Sequence, residues 1–234
     1  MLGVGVLMAG LAELVQLVPP RGEGLAAPVA AGAAAIITAC ICAALSRRGQ
    51  SEQLAALRHA AITDPLTGLL NRRGLQDRIE LELARAERGA GPLVLMVIDL
   101  DHFKQVNDRL GHLGGDMALE RAAGVLQREL RVVDAAARIG GEEFAVLLPD
   151  TGVFEGLAAG ERLRVRIERS FEGTAVALTA SVGLAASPQD GRTMEELLHA
   201  ADRAMYTAKA LGRNRCVIFD AENARGTEQV ALAS

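Results

Sequence analysis

Two carboxylates set behind a pair of glycines, in Arg138-Ile139-Gly140-Gly141-Glu142-Glu143-Phe144, are the residues of this chain best placed to do chemistry. Apolar runs flank them, at 135–139 and 144–148. Two short apolar segments joined through Gly-Gly read as a β-hairpin. Glycine can take positive φ and lets the backbone approach a ligand closely. Carboxylates just past such a turn stand at its exposed end. Hard cations such as Mg²⁺ take oxygen ligands of this kind, usually one or two carboxylates completed by substrate phosphates. A charged hairpin tip that only keeps the turn soluble has the same local pattern, so the hairpin by itself leaves both readings open.

A second acidic group, Asp99-Leu100-Asp101, ends the apolar run 93–98. An unbroken apolar run is the pattern of a buried central strand. If that strand neighbours the hairpin, Asp99, Glu142 and Glu143 converge at one edge of a sheet. Such an edge suits two Mg²⁺ ions about 3.5–4 Å apart, clamping the attacking and leaving oxygens of a phosphoryl transfer. Asp-x-Asp alone equally describes a strand-end turn. Adjacent strand residues point to opposite faces, so Glu142 and Glu143 can both serve only if the hairpin tip is irregular.

The elements that must position these groups follow from periodicity and breakers. A turn at 66–73 runs into an amphipathic helix to about residue 88, and 89–92 is a loop. A helix is expected to residue 109, a Gly-rich break over 111–116, and a long helix to about 130. After the hairpin, 156–170 reads as helix and 177–185 as strand. Residues 193–211 read as helix, with Thr193 as N-cap and Glu195-Glu196 in the first turn. A short strand at 216–219 and a polar tail over 221–234 finish the chain. Mixed helices and strands with an antiparallel hairpin predict an α+β domain, its sheet covered by helices.

The chain has 234 residues, room for one catalytic domain plus an attachment. Its net charge of −4 offers no basic footprint for nucleic acid. The three cysteines (Cys40, Cys42, Cys216) suit neither a disulfide framework nor a zinc site. Half the residues are hydrophobic, and the mean hydropathy is +0.21. That excess sits near the N-terminus. Residues 25–45 carry no charge and, at about 20 residues, can span a bilayer as a helix. Arg47 and Arg48 follow and favour a cytoplasmic C-terminal side. Residues 1–18, broken by Glu13 and Gln16, read as a first span of a hairpin or as the end of a longer membrane domain. No basic residue precedes that run, which argues against a cleaved signal peptide. The expected organisation is a membrane segment over 1–45, a helical linker over 46–63, a catalytic domain over 64–220 and a flexible tail over 221–234. In the linker, Leu54, Leu57 and Ala61 make a short coiled-coil-like seam suited to pairing two subunits.

Four further motifs accompany the hairpin, in order. They are Asp64-Pro65-Leu66-Thr67-Gly68-Leu69-Leu70-Asn71-Arg72-Arg73, then Asp99-Leu100-Asp101-His102-Phe103-Lys104 with Asn107-Asp108, then Gly111-His112 with Gly115-Asp116, and finally Ala208-Lys209 with Gly212-Arg213-Asn214. Together with Gly140-Gly141-Glu142-Glu143-Phe144 they resemble the GGDEF family of diguanylate cyclases, over residues 64 to about 220. The resemblance implies a fold like the palm of nucleotide polymerases and nucleotidyl cyclases, preceded here by one or two transmembrane helices. It implies condensation of two GTP into cyclic di-GMP and two pyrophosphates across a homodimer, with Mg²⁺ (Mn²⁺ as the alternative metal). It places the domain on the cytoplasmic side of a bacterial membrane. By the same resemblance Asp99, Glu142 and Glu143 would bind metal by side chain and Leu100 by its carbonyl. Glu142 would be the catalytic base, with Glu143 the second catalytic carboxylate. Asn107 and Asp116 would hydrogen-bond guanine, with His112 lining the pocket, and Lys104, Lys209 and Arg213 would meet the phosphates. A carboxylate at Asp116 can accept from guanine N1–H and N2–H₂ together, a donor pair that adenine lacks. Arg131 and Asp134 resemble the family's inhibitory site for cyclic di-GMP, with Arg162 assisting. The alternative is a non-catalytic module of the same family that binds GTP or cyclic di-GMP.

Overall fold

The computed structural model describes residues 38, 40, 41, 43–45 and 61–220. The chain divides into two units, Met1–Arg58 and His59–Ser234. In the first, the described residues are helical. No helix among the described residues is long and apolar enough to cross a membrane. The expected spans at 1–18 and 25–45, the linker and the tail lie wholly or largely outside the described residues.

The second unit runs α1 (Arg72–Glu87), β1 (Leu93–Leu100), α2 (Phe103–Glu129), β2 (Ala135–Arg138), β3 (Glu143–Leu148), α3 (Val153–Ser170), β4 (Ala180–Ser187), α4 (Met194–Ala210) and β5 (Cys216–Ile218). The five strands form one sheet in the order β2-β3-β1-β4-β5. β1 pairs antiparallel with β3 and with β4, and β2 pairs antiparallel with β3. Only β4 and β5 are parallel. The fold is therefore α+β with a mixed sheet, as the alternation of elements predicts.

β1 is central, and all eight of its residues are buried. Its even-numbered side chains (Val94, Met96, Ile98, Leu100) join the core beneath α2 and α3, and Leu93, Leu95 and Val97 join the core beneath α1 and α4. A strand covered on both faces must be apolar throughout, which is why its sequence shows no alternation. The strand also runs two residues further than the apolar run, so Asp99 and Leu100 lie inside the ladder.

Local chemistry sets the element ends. α1 begins at Arg72, inside the stretch expected as a turn, because Asn71 caps it: its Oδ1 accepts from the Gly74 amide at 3.0 Å. α4 begins after Thr193 as expected, with Thr193 Oγ1 accepting from the Glu196 amide at 3.2 Å and Glu196 reaching back to the Thr193 amide. The expected Gly-rich break over 111–116 is confined to Gly111, whose φ of 71° kinks α2 while the helix resumes at once. Gly114 and Gly115 are helical because neighbouring packing outweighs their weak propensity.

Asp64 fastens the start of the domain to the hairpin. Its Oδ1 accepts from the Thr67 amide at 2.9 Å and the Thr67 hydroxyl at 2.7 Å. Arg138 approaches the same carboxylate at 3.5 Å, with both side chains less than a fifth exposed. Burial pushes the Asp64 carboxyl up, but the Thr67 bonds and Arg138 together hold it below its ordinary 3.8. Its stabilising contribution is therefore present above that ordinary value and is lost as pH falls through the lower folded-state value. Asp64→Asn is expected to cost about 1–2 kcal/mol at neutral pH. Thermal melts of the two proteins should converge in strong acid; a gap that persists there would separate the loss from the charge.

Candidate active site at the carboxylate end of β1 and β3

The ladder between β1 and β3 places Asp99 directly opposite Glu143. Residues directly opposite in an antiparallel pair share a face of the sheet. One residue outside the strand, Glu142 is held by its backbone, since the Leu100 amide donates to the Glu142 carbonyl at 3.3 Å. Asp99 is 5% exposed, whereas Glu142 and Glu143 are half-buried. The three carboxylates therefore gather at one end of two neighbouring strands, as the sequence predicts.

The hairpin turn is made differently from the expectation. Neither Gly140 nor Gly141 has positive φ. Gly140 lies close under the Glu143 side chain: a Cβ there would force the Glu143 carboxylate to shift, whereas one at Gly141 would meet nothing. The Ile139 and Gly140 amides both donate to the Glu143 carbonyl, at 3.0 and 3.3 Å. Arg138 closes the turn from outside, its Nη2 and Nε donating to the Gly141 carbonyl at 2.7 and 3.2 Å. This makes the tip irregular, which lets the two adjacent glutamates avoid strict strand alternation.

Electrostatics in this corner are strained by like charge. Burial raises the Asp99 carboxyl above its ordinary range; Lys209 opposes that, while Asp101 and Asp202 add to it. Burial likewise raises Glu142, with Asp99 and then Glu143 adding to the shift against Lys209. Lys209 Nζ stands 2.8 Å from Asp99 Oδ2. The sequence assigns Lys209 to phosphates; in the structure its ammonium is the nearest counter-charge for a buried carboxylate. The corner's oxygen donors and excess negative charge fit a hard divalent cation. Among the described residues no three acidic or histidine side chains are already close enough to hold one by themselves.

On the other side of β1, Asn107 and Asp116 are half-buried and His112 is exposed. The Gly111 kink separates Asn107 from His112 and Asp116 along α2. Gly115 keeps Asn107 in place by lacking a side chain, since a Cβ there would strike the Asn107 Oδ1. Lys104 and Arg213 are exposed, and Arg213 has φ 64° in the turn after α4. A cleft of about 910 Å³ opens between α1 and α4, where Glu143, Asp202, His199 and Arg72 line it. Of the predicted carboxylates Glu143 lines this cleft, whereas Asp99, Glu142, Asn107 and Asp116 lie outside it.

Arg131 and Asp134 lie at the opposite end of β2 from the carboxylates. Asp134 Oδ2 accepts from the Arg131 backbone amide at 2.8 Å, so it shapes the turn rather than gripping the guanidinium. Its Oδ1 is buried and has no partner among the described residues. Arg162 is paired with Glu129 at 3.7 Å, alongside Arg166 at 3.2 Å. A cavity of about 540 Å³ lies beside this turn. Sequence reading missed Asp101, which is 3% exposed and accepts from Thr179 and Ser181 hydroxyls, both at 2.7 Å. Its only signal was position, two residues past Asp99 inside the same motif.

Residues 61–215 match the profile of the family described as "Diguanylate cyclase, GGDEF domain". The chain belongs to the GGDEF family. The diguanylate cyclase DgcP of Pseudomonas aeruginosa is 47% identical over 161 residues, covering 68% of this chain and 24% of DgcP. This chain thus spans about a quarter of the length of that relative. Among solved structures, the coiled coil and GGDEF domain of DgcB from Caulobacter crescentus, in complex with c-di-GMP, is 32% identical with a TM-score of 0.70, covering 78% of this chain and 98% of that one. The active GGEEF domain of a diguanylate cyclase from Vibrio cholerae is 33% identical with a TM-score of 0.61, covering 65% and 98%. The GGDEF signature in this chain is also written Gly-Gly-Glu-Glu-Phe.

Proposed function

We propose that this GGDEF domain is a diguanylate cyclase, condensing two GTP into cyclic di-GMP with release of two pyrophosphates. The observation that carries the reading is the meeting of Asp99, Glu142 and Glu143 at the end of β1 and β3, with Lys209 2.8 Å from Asp99. Family membership and the named activity of DgcP support it.

In this reading Asp99, Glu142, Glu143 and the Leu100 carbonyl are the groups that would hold Mg²⁺, or Mn²⁺ in its place. Bound there, the metal supplies positive charge where an attacking 3′-oxygen and a leaving pyrophosphate become negative. Glu142 takes the proton of the 3′-hydroxyl. Lys209 and Arg213 draw the phosphates in from α4 and its following turn, and Lys104 does so from α2. Asn107 and Asp116 read the guanine edge, beside His112. One domain holds one GTP, so the reaction needs two copies face to face; holding the two nucleotides in line supplies much of the rate. Cyclic di-GMP bound at Arg131 and Asp134, with Arg162 nearby, limits its own synthesis. Residues 1–45 anchor the chain in a bacterial cytoplasmic membrane, residues 46–63 pair the subunits, and residues 64–220 act in the cytoplasm.

The full chain, washed free of bound nucleotide, is expected to release pyrophosphate from GTP only when Mg²⁺ or Mn²⁺ is present. Binding of GTP without release would instead favour a non-catalytic module. Asp116→Ala is expected to weaken GTP binding about 10-fold or more, since it leaves guanine donors unpaired. Equal binding of GTP and ATP by the parent protein would remove the role assigned to Asp116.

A further inference from the structure

Asp101 is a buried carboxylate that the proposed chemistry leaves unused. Its Oδ1 accepts from the Ser181 hydroxyl at 2.7 Å, and its Oδ2 accepts from the Thr179 hydroxyl at 2.7 Å and the Asn214 backbone amide at 3.1 Å. The Asp101 amide in turn donates to the Thr179 carbonyl at 2.9 Å. Two of these partners, Ser181 in β4 and Thr179 just before it, fasten Asp101 to that strand. The third reaches across to the turn after α4.

That turn is unusual. Gly212, Arg213 and Asn214 have φ values of 111°, 64° and 47°, three left-handed residues in a row, two of them not glycine. For the two that are not glycine, such conformations are strained and persist only where the surroundings hold them. The Asn214 side chain is held from α3, its Oδ1 accepting from Arg164 Nη1 at 2.6 Å and its Nδ2 donating to Glu168 Oε1 at 3.0 Å. Its backbone is held by Asp101. Within the turn, the Arg213 amide donates to the Ala208 carbonyl at 3.0 Å, so the last turn of α4 and Arg213 move as one piece. That piece carries Lys209, which sits on Asp99.

We propose that Asp101 is a positioning residue for polyphosphate binding: its buried carboxylate ties the turn at 212–214 to the end of β1 and so sets Lys209 and Arg213 against the phosphates of a nucleoside triphosphate. This rests on the GTP reading above and adds to it a residue that touches no substrate. A carboxylate that merely filled the core would stabilise the fold without favouring triphosphate over monophosphate.

The test is a ratio measured on the full chain with Mg²⁺. Dissociation constants are determined for 3′-deoxy-GTP, which lacks the attacking hydroxyl, and for GMP, which shares the base but not the outer phosphates. In Asp101→Ala the preference for the triphosphate over GMP is expected to fall about 10-fold, with GMP affinity unchanged. Asp101→Asn, whose amide oxygen can accept from both Thr179 and Asn214 while its NH₂ faces the Ser181 oxygen, is expected to restore the preference to within about 2-fold. If Asp101→Ala fails to fold, Thr179→Val removes one of the three bonds without opening a cavity and should move the ratio in the same direction. An unchanged ratio, or equal weakening of both ligands, would overturn the proposal. A chain that binds both nucleotides but makes no cyclic di-GMP would defeat the cyclase reading while leaving this ratio readable.

Discussion

Replacing Glu142 with alanine is expected to lower cyclic di-GMP formation by at least about 10²–10³-fold, the scale of removing one preorganised group from a reacting centre. The fold should survive the change. Glu142 lies outside β3, and its place is fixed by a backbone bond from Leu100 that alanine keeps. Its charge is also unwelcome in the folded protein without a counter-ion. Burial, Asp99 and Glu143 all push its carboxyl above the ordinary 4.5. A raised folded-state value means that the contribution of this group to stability is present below the unfolded value and is lost as pH rises through the folded one. At neutral pH, alanine should therefore leave the melting temperature unchanged or slightly higher. Loss of activity together with a higher or equal Tm is the signature of a functional carboxylate. A large fall in Tm would mean that Glu142 is structural and would remove it from the site.

Gly183→Ala is expected to give the opposite pattern, a loss of stability that drags activity with it. Gly183 lies in the buried strand β4, and a Cβ there would run into the backbone of α4, at the Ala201 carbonyl and the Met205 amide, with Met205 Cα at 2.8 Å. Backbone cannot rotate aside as a side chain can, so α4 must shift away from the sheet. Overpacking of this kind costs about 1–3 kcal/mol. For a chain of this size that is roughly 2–12 °C of Tm. The shifted helix carries Lys209 and leads to Arg213, so GTP binding should weaken as well. Thermal denaturation and nucleotide affinity, measured on the same preparation, check both halves. An unchanged Tm would show that α4 is not seated on β4 as described.

Much of this architecture is legible in the sequence because its strongest signals are local. The apolar run 93–98 marked the central strand, and Thr193 with Glu196 marked the start of α4. The paired runs around Gly140-Gly141 marked the hairpin. What sequence could not supply was the third dimension of two features. Gly140 lies close under the Glu143 side chain, which depends on where that side chain folds, and positive φ was the wrong reason for a glycine there. The Gly-rich stretch 111–116 reads as a break by propensity, yet packing of Ala118, Leu119 and Ala122 into the core keeps it helical beyond Gly111. Asp101 was invisible as a separate actor, because its partners Thr179, Ser181 and Asn214 are distant in sequence. The pairing of Lys209 with Asp99 joins two motifs that the sequence kept apart.

The most direct test of the central claim is mass-spectrometric detection of cyclic di-GMP after the full chain, stripped of bound nucleotide, is incubated with GTP and Mg²⁺. Glu142→Ala is run beside it under the same conditions. The expected result is product from the parent protein and none above background from the variant. Equal product from both would contradict the assignment of the carboxylate end of β1 and β3 as the reacting centre. No product from either, with GTP bound, would contradict the cyclase reading itself.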